Sequence, residues 1–217
     1  MLFQDRADAG RKLAARLGHY QREDCIVLAL PRGGVPVGYE VAQALGKPLD
    51  ILVVRKVGLP GQEELAIGAV GPGDVTVWNQ SLLAYFRLNS ASLQAIVDRE
   101  KAELVRRLSA FRGQRPYPQV QRKTVILVDD GLATGASARA AIQAVKGMEP
   151  SKVVLAVPVG SQSTVSELRH MVDELVCVET PVYFEAVSAW YRNFSQTTDQ
   201  EVIDLLHQAW QHPLAKH

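Results

Sequence analysis

Two adjacent aspartates stand beside a loop of small residues that could bind an anion. Residues 125–137 read VILVDDGLATGAS, so Asp129 and Asp130 follow four apolar residues and precede the loop 133–137. Small side chains let backbone N–H groups approach a ligand, and the loop leads into a helix N-terminus, whose dipole favours negative charge. The hydroxyls of Thr134 and Ser137 could add donors. The sequence therefore predicts a phosphate site, although it lacks the Gly-Lys-Ser/Thr of a Walker A loop.

The like charges of Asp129 and Asp130 need a ligand that offsets their repulsion. A phosphorylated sugar meets this need, because its hydroxyls donate hydrogen bonds to carboxylates. Carboxylates also stabilise positive charge that develops on a sugar ring during a reaction. The alternative is structural, with one aspartate capping the following helix and the other solvated. We favour the sugar interpretation because it explains the whole string VILVDDGLATGAS.

Two further segments could place positive charge near the same ligand. Arg32-Gly33-Gly34 combines an arginine fork with glycines that let backbone N–H groups face an anion. Arg55-Lys56 follows another apolar run and could serve the same purpose. Taken singly, the first segment also fits a tight turn with a surface arginine, and the second fits a pair of solvated charges.

Buried strands alternate with helices along most of the chain. Helices are expected at about 5–17 and 36–46, after loop 129–137 to about 147, and from the capping boxes at 164–167 and 198–201. The alternation predicts an α/β fold, a doubly wound, mostly parallel five-stranded sheet flanked by helices. Loops 31–34 and 129–137 should then share one rim, at the carboxyl ends of the strands. Continuous apolar runs predict these strands at 25–30, 49–54, 124–128, 152–159 and 174–178.

Residues 57–120 interrupt this alternation. A turn at 71–74 predicts a hairpin, and the glycine and proline content before it predicts a mobile loop. The pattern of residues 80–112 predicts one long helix, and its apolar stripe contains Glu100. This carboxylate could form an ion pair or could face a substrate. We expect a single domain over 1–217, with a core at about 20–180, this insertion, and a C-terminal hood and helix at about 180–217.

Composition excludes several broad classes of function. The 217 residues are 47% hydrophobic and carry a formal net charge of +1, so no global field attracts nucleic acid or membrane. Residues 87–123 do hold nine Lys/Arg against three acidic residues, which a solvated helix or an anionic ligand could explain. The N-terminus has no signal-peptide pattern and no apolar run is long enough to span a bilayer. Cys25 and Cys177 look like buried free thiols, and we expect a cytoplasmic protein.

These motifs together resemble the type I phosphoribosyltransferases. Residues 125–137 match the family signature of four apolar residues, two acidic residues and a Thr-Gly loop. Residues 32–34 are similar to the pyrophosphate loop, and the RKVGLPG of 55–61 is similar to the start of the catalytic loop in adenine-type members. The resemblance covers about 25–180 and is closest to the bacterial stand-alone predicted phosphoribosyltransferases.

The resemblance implies that phosphoribosyl pyrophosphate and Mg²⁺ bind and that a nitrogen nucleophile displaces pyrophosphate. Asp129 and Asp130 would hold the ribose hydroxyls, and Mg²⁺ would bind through substrate oxygens with either no direct protein ligand or these two carboxylates. A loop beginning near Val57 would close over the site, and the family expectation is a homodimer. The 5′-phosphate would lie on Ala133, Thr134, Gly135, Ala136 and Ser137. Pyrophosphate would contact Arg32, Gly33, Gly34, Arg55 and Lys56.

The acceptor base is only partly constrained by the resemblance. Ala133 replaces the aspartate that contacts the purine in 6-oxopurine enzymes, which disfavours hypoxanthine and guanine. Stacking candidates after the last core strand are Tyr183, Phe184, Trp190 and Tyr191, although aromatics there often belong to the core. Arg192 is a further candidate for pyrophosphate. The alternative function is a catalytically silent regulator of the same fold that binds phosphoribosyl pyrophosphate or a nucleotide.

Overall fold

The computed structural model describes residues 2–211 and contains a central parallel sheet and a smaller antiparallel one. The strands are β1 (Cys25–Ala29), β2 (Leu49–Ile51), β3 (Arg55–Leu59), β4 (Gln62–Gly71), β5 (Val75–Trp78), β6 (Thr124–Val128), β7 (Lys152–Val159) and β8 (Glu174–Glu179). The α-helices are α1 (Arg6–Arg16), α2 (Gly34–Leu45), α3 (Gln80–Tyr85), α4 (Gln94–Arg112), α5 (Ala136–Lys146), α6 (Gln162–Arg169) and α7 (Asp199–Gln211). Short 3₁₀ helices span Gly18–Arg22, Ser90–Leu93 and Val187–Trp190.

The central sheet has the strand order β2-β1-β6-β7-β8, and every pairing in it is parallel. Alternate residues of β1 belong to opposite cores: Val27 packs with α1, α2 and α7, whereas Leu28 packs with α5 and α6. Both side chains are fully buried, and each such burial stabilises the fold by about 1.5–3 kcal/mol. The predicted doubly wound α/β fold is therefore confirmed. Its strands are apolar on both faces because helices cover both sides of the sheet.

The segment between β2 and β6 forms the second sheet, in the order β3-β4-β5. Its hairpin β4–β5 was predicted, and Gly71 pairs with Val75 around the turn. Two other predictions were wrong. Arg55 and Lys56 begin β3 instead of standing at the end of the strand predicted at 49–54, and the segment expected to be a loop after them is the hairpin β3–β4. The buried side chains of Val57 and Leu59 alternate along β3 and hold it against the insertion's own core.

Residues 80–112 are not one helix. They divide into α3, a 3₁₀ helix and α4, and the break contains Arg87 at a φ of 52°. Asparagine side chains cap the separate pieces: Oδ1 of Asn79 accepts from the N–H of Leu82, and Oδ1 of Asn89 accepts from the N–H of Ala91. Local capping thus competes successfully with continuation of the helix.

Two predicted helix starts had different outcomes. The capping box at Thr198 and Glu201 is present: the N–H of Thr198 donates to Oε2 of Glu201 at 3.2 Å, and the N–H of Glu201 donates to Oγ1 of Thr198 at 3.1 Å. The one at Thr164 is absent, because α6 begins earlier and its cap is Ser161, whose Oγ accepts from the N–H of Thr164.

Both cysteines are free thiols, Cys25 buried and Cys177 half-buried. Over residues 2–211, none of the helices is both long and apolar enough to cross a bilayer.

Candidate functional site

Two loops meet at the carboxyl ends of the neighbouring strands β1 and β6. A Cβ atom added at Gly33 would lie 2.1 Å from Oδ2 of Asp130. One added at Gly34 would lie 2.7 Å from the carbonyl oxygen of Val128. Only glycine allows this approach, and the prediction that loops 31–34 and 129–137 share one rim is confirmed.

Asp129 and Asp130 are half-buried at this junction. The backbone N–H of Asp130 donates to Oδ1 of Asp129 at 2.8 Å. Burial raises the pKa of the Asp129 carboxyl well above its ordinary value, and the neighbouring Asp130 charge raises it further. Burial also raises the pKa of Asp130, although a nearby guanidinium opposes the effect. The pair therefore favours a ligand that brings hydrogen-bond donors or positive charge.

That guanidinium belongs to Arg6, a site residue that sequence reasoning missed. Its Nε donates to Oδ2 of Asp130 at 2.8 Å. Its Nη1 donates to the carbonyl oxygen of Ser195 at 2.7 Å, and the group lies 3.9 Å from the centre of the Phe194 ring. Arg6 thus connects α1, the acid loop and the C-terminal segment. No pattern in the sequence indicated this contact, because 124 positions separate Arg6 from Asp130.

The predicted phosphate loop forms the turn into α5. Residues 133, 134, 136 and 137 are exposed, whereas Gly135 is buried with a φ of 72°. A Cβ atom at Gly135 would lie 2.7 Å from Cγ2 of Thr164. The hydroxyl of Thr164 donates to the carbonyl oxygen of Ala133 at 2.9 Å, which holds the turn in place. Small exposed residues at the start of an 11-residue helix are a suitable site for phosphate.

The cations predicted for pyrophosphate lie in two different environments. Arg32 is exposed, follows a cis peptide bond, and has Nη1 at 3.4 Å from Oδ1 of Asp199. Arg55 instead donates from Nε to Oε2 of Glu100 at 2.9 Å, and Glu100 is only 8% exposed. Of the two interpretations of Glu100, the structure has the ion pair. Lys56 is exposed at the start of β3.

A cavity of about 610 Å³ lies at the carboxyl ends of β1 and β2. Its polar lining includes Arg32 and Ser137, together with Arg106 and Arg107 from α4. Sequence reasoning treated these two α4 arginines only as part of a basic surplus. Both donate to Glu103, at 2.8 Å for Arg106 and 2.9 Å for Arg107, and these bonds lower the pKa of Glu103 to about 2.

The predicted base-stacking residues lie near a second cavity of about 420 Å³. Tyr183, which is 89% exposed, and Trp190 line this cavity together with Glu185. Phe184 and Trp190 also pack against a cluster around the fully buried Phe3. Trp190 therefore packs against the core and also lines the cavity, whereas the exposed Tyr183 is accessible to a ligand.

The C-terminal segment packs directly on the acid loop. The hydroxyl of Tyr191 donates to the carbonyl oxygen of Asp130 at 2.6 Å. A Cβ atom at Gly131 would lie 2.5 Å from Cγ1 of Val187. Tyr191 is buried, so the prediction that it could stack on a base was wrong. Arg192 is exposed beside it.

The donor set suits a magnesium ion that arrives with a substrate. Among residues 2–211, no group of three or more His, Cys, Asp or Glu side chains could hold a metal ion. Mg²⁺ is usually bound by one or two carboxylates together with waters and substrate phosphates. Asp129 and Asp130 provide two such carboxylates next to the predicted phosphate loop, which fits this mode of binding.

Comparisons with known proteins agree with this arrangement. Two proteins from different strains of Mycobacterium tuberculosis, each named "Putative phosphoribosyl transferase", are 47% identical over 208 residues, which is 96% of this chain and 47% of theirs. The chain thus spans about half the length of these curated relatives. The crystal structure of TT1426 from Thermus thermophilus is 42% identical with a TM-score of 0.88, over 96% of this chain and 99% of that one. The pattern of the family described as "Phosphoribosyl transferase domain" matches residues 3–192. The chain belongs to the phosphoribosyl transferase family.

Proposed function

We propose that the protein transfers the phosphoribosyl group of phosphoribosyl pyrophosphate to a nitrogen nucleophile, with Mg²⁺ as cofactor and pyrophosphate as the second product. The observation that carries this proposal is the position of the acid pair. Asp129 and Asp130 lie against loop 31–34, which carries Arg32, and the exposed turn 133–137 follows them along the chain. A ligand with a sugar in the middle and phosphate groups at two ends has the matching order of chemical groups.

The 5′-phosphate would accept hydrogen bonds from backbone N–H groups of residues 133–137 at the start of α5. The carboxylates of Asp129 and Asp130 would accept hydrogen bonds from the ribose hydroxyls. In the reaction, the bond between the anomeric carbon and the pyrophosphate oxygen breaks, and its electron pair leaves with pyrophosphate. The acceptor nitrogen forms the new bond to carbon and loses a proton. The carboxylates stabilise the positive charge that develops on the ring.

The leaving group would be held by the loop 31–34, through the Arg32 side chain and the backbone of the two glycines. Asp129 and Asp130 are the residues that would hold Mg²⁺, which would supply positive charge that offsets the charge on pyrophosphate. We assign Arg55 a different role from the predicted one. Because its guanidinium is held by the buried Glu100, it joins β3 to α4. Lys56 stays a candidate for pyrophosphate.

The acceptor would enter beside the C-terminal segment, where Tyr183 and Trp190 line a cavity. Flat aromatic faces favour a planar base, which we propose as the acceptor class. Ala133 provides no carboxylate for a 6-oxopurine. Association of two copies of the chain remains part of the proposal.

The pairing of Arg55 with Glu100 favours one rival function. A regulator that only binds phosphoribosyl pyrophosphate does not need a second cationic side chain for the pyrophosphate group. Arg55 was the candidate for that role, and its guanidinium is already paired with Glu100. The two functions differ in turnover, since the regulator would bind the donor and leave it intact.

Release of pyrophosphate distinguishes these functions. The purified protein is mixed with phosphoribosyl pyrophosphate and Mg²⁺, and pyrophosphate is measured with adenine, hypoxanthine, guanine, uracil, orotate and nicotinate in turn. Our proposal predicts base-dependent release with at least one base and none without Mg²⁺. Tight binding of the donor with no release for any base would support the regulator instead.

A further inference from the structure

The strand order separates two sides of the candidate site. The acid loop follows the central strand β6, with β1 and β2 on one side and β7 and β8 on the other. The C-terminal segment with its aromatic residues follows β8. The cavity of about 610 Å³ extends toward β1 and β2, because its wall includes residues just beyond both strands as well as Ser137 beyond β6. An acceptor and a leaving group would therefore occupy opposite sides of the acid pair.

Helix α4 forms another wall of this cavity. Arg106, Arg107, Ala110 and Phe111 all line it, although α4 belongs to the insertion between β2 and β6. A volume of this size lies within the usual range of small-molecule sites, about 300–1,000 Å³. The insertion therefore contributes one wall of this cavity.

Three arginines converge on the same space. Arg32 comes from the loop after β1, and Arg106 and Arg107 come from α4. Each already has a carboxylate partner, Asp199 for Arg32 and Glu103 for the α4 pair. The side chains of Arg106 and Arg107 are 69% and 48% exposed, so they can turn toward an anion without leaving a buried charge behind.

We infer that Arg106 and Arg107 bind the diphosphate end of phosphoribosyl pyrophosphate together with Arg32. This inference rests on the proposed function and extends it to two residues outside the family motifs. Arginine suits the task because its planar fork donates two parallel hydrogen bonds to phosphate oxygens. Arg106 and Arg107 replace the contact that was predicted for Arg55, because the guanidinium of Arg55 is held in an ion pair with Glu100. Glu103 competes with the ligand for the same two guanidinium groups.

Equilibrium binding to three ligands tests the inference. Mg²⁺-pyrophosphate and Mg²⁺-phosphoribosyl pyrophosphate carry the diphosphate group, whereas ribose 5-phosphate carries only the other end. The test variants are Arg106→Gln/Arg107→Gln and Glu103→Gln. Arg169→Gln is the control, since Arg169 is an exposed arginine at the end of α6, outside the cavity. Melting temperatures establish that each variant is folded.

Loss of two charge-assisted phosphate contacts should weaken both diphosphate ligands at least about 10-fold in the double variant. Ribose 5-phosphate should bind within about 2-fold of wild type, and Arg169→Gln should leave all three ligands unchanged. Glu103→Gln should tighten pyrophosphate about 2- to 5-fold, because it removes a competing carboxylate.

The outcomes separate the inference from the proposed function. Equal binding of pyrophosphate by wild type and double variant overturns the inference alone. An equal loss of ribose 5-phosphate in the double variant also overturns it, because the arginines would then act without selectivity for the diphosphate end. A wild-type protein that binds neither diphosphate ligand contradicts the proposed function itself.

Discussion

The Nε atom of Arg6 lies 2.8 Å from Oδ2 of Asp130, and this ion pair joins the first helix to the acid loop after β6. The side chains are 12% and 16% exposed, so solvent screens the pair only partly. The carbonyl oxygen of Ser195 and the ring of Phe194 hold the guanidinium from the other side. Asp130 consequently has a fixed orientation beside Gly33 and a charge that is partly offset.

Arg6→Gln should weaken both the fold and the reaction. Loss of one partner of a mostly buried ion pair costs about 1–3 kcal/mol, and thermal unfolding measures it. Burial would then raise the pKa of Asp130 with less opposition, so the acid limb of the pH–rate profile should move to higher pH. Arg16→Gln, an exposed change on the same helix, is the control. An unshifted acid limb in Arg6→Gln would contradict the assigned role of the pair.

Asp129→Asn should stabilise the ligand-free protein and reduce its activity. A carboxyl whose pKa is raised in the folded state stabilises the fold at low pH, and this contribution is lost as pH rises from about 4 through the raised pKa. Asparagine keeps an oxygen for the N–H of Asp130 and carries no charge. A gain of about 1 kcal/mol raises the melting temperature of a chain of this size by about 2–4 °C.

The comparison is made by melting curves from pH 5 to pH 8. Wild type should lose more stability than Asp129→Asn over that range. A variant that is less stable than wild type at pH 8 would show that the Asp129 charge does not destabilise the fold.

Gly33→Ala should disturb the acid pair directly. The new methyl group would lie 2.1 Å from Oδ2 of Asp130, so the carboxylate must move. We expect turnover to fall by at least about 100-fold, because displacement of a reacting group by about 1 Å can cost that much. Gly18→Ala is the matched control, since a methyl group there meets nothing within 4 Å. Equal activity of both variants would show that loop 31–34 adapts without consequence.

Arg55 and Glu100 should be coupled in stability. Arg55→Gln leaves a mostly buried Glu100 paired with the exposed Arg99, which should cost about 2–3 kcal/mol. Glu100→Gln should cost less, and the double variant should be more stable than the sum of the single losses implies. Denaturant unfolding of the four proteins completes this cycle. Additive losses would mean that the two side chains do not stabilise one another.

The central sheet was predictable because its signal is local. Runs such as 124–128 and 152–159 are continuous and apolar, and each is followed by small or glycine-rich residues. That pattern identifies a strand buried on both faces and the loop at its carboxyl end. The shared rim of loops 31–34 and 129–137 followed from the same rule, since parallel strands end on one rim.

The remaining features depend on contacts between distant segments. The ion pair of Arg6 joins residues 124 positions apart, and that of Glu100 joins residues 45 positions apart. Patterns in a single sequence carry no signal for such pairs. Strand β3 was hidden because glycine and proline in RKVGLPG indicate a turn, while only tertiary burial of Val57 and Leu59 favours a strand. The cap of α6 was misplaced because Ser161 and Thr164 are both suitable caps.

Turnover by Asp130→Asn tests the central claim most directly. Asparagine keeps the size of the side chain and an oxygen that Arg6 can contact, so the fold should persist. Pyrophosphate release from phosphoribosyl pyrophosphate, with Mg²⁺ and the best acceptor of the base panel, is measured beside wild type. We predict a folded protein whose turnover falls by at least about 100-fold, since the carboxylate stabilises charge in the transition state. Turnover equal to that of wild type would contradict the assignment of Asp130 to the reacting sugar.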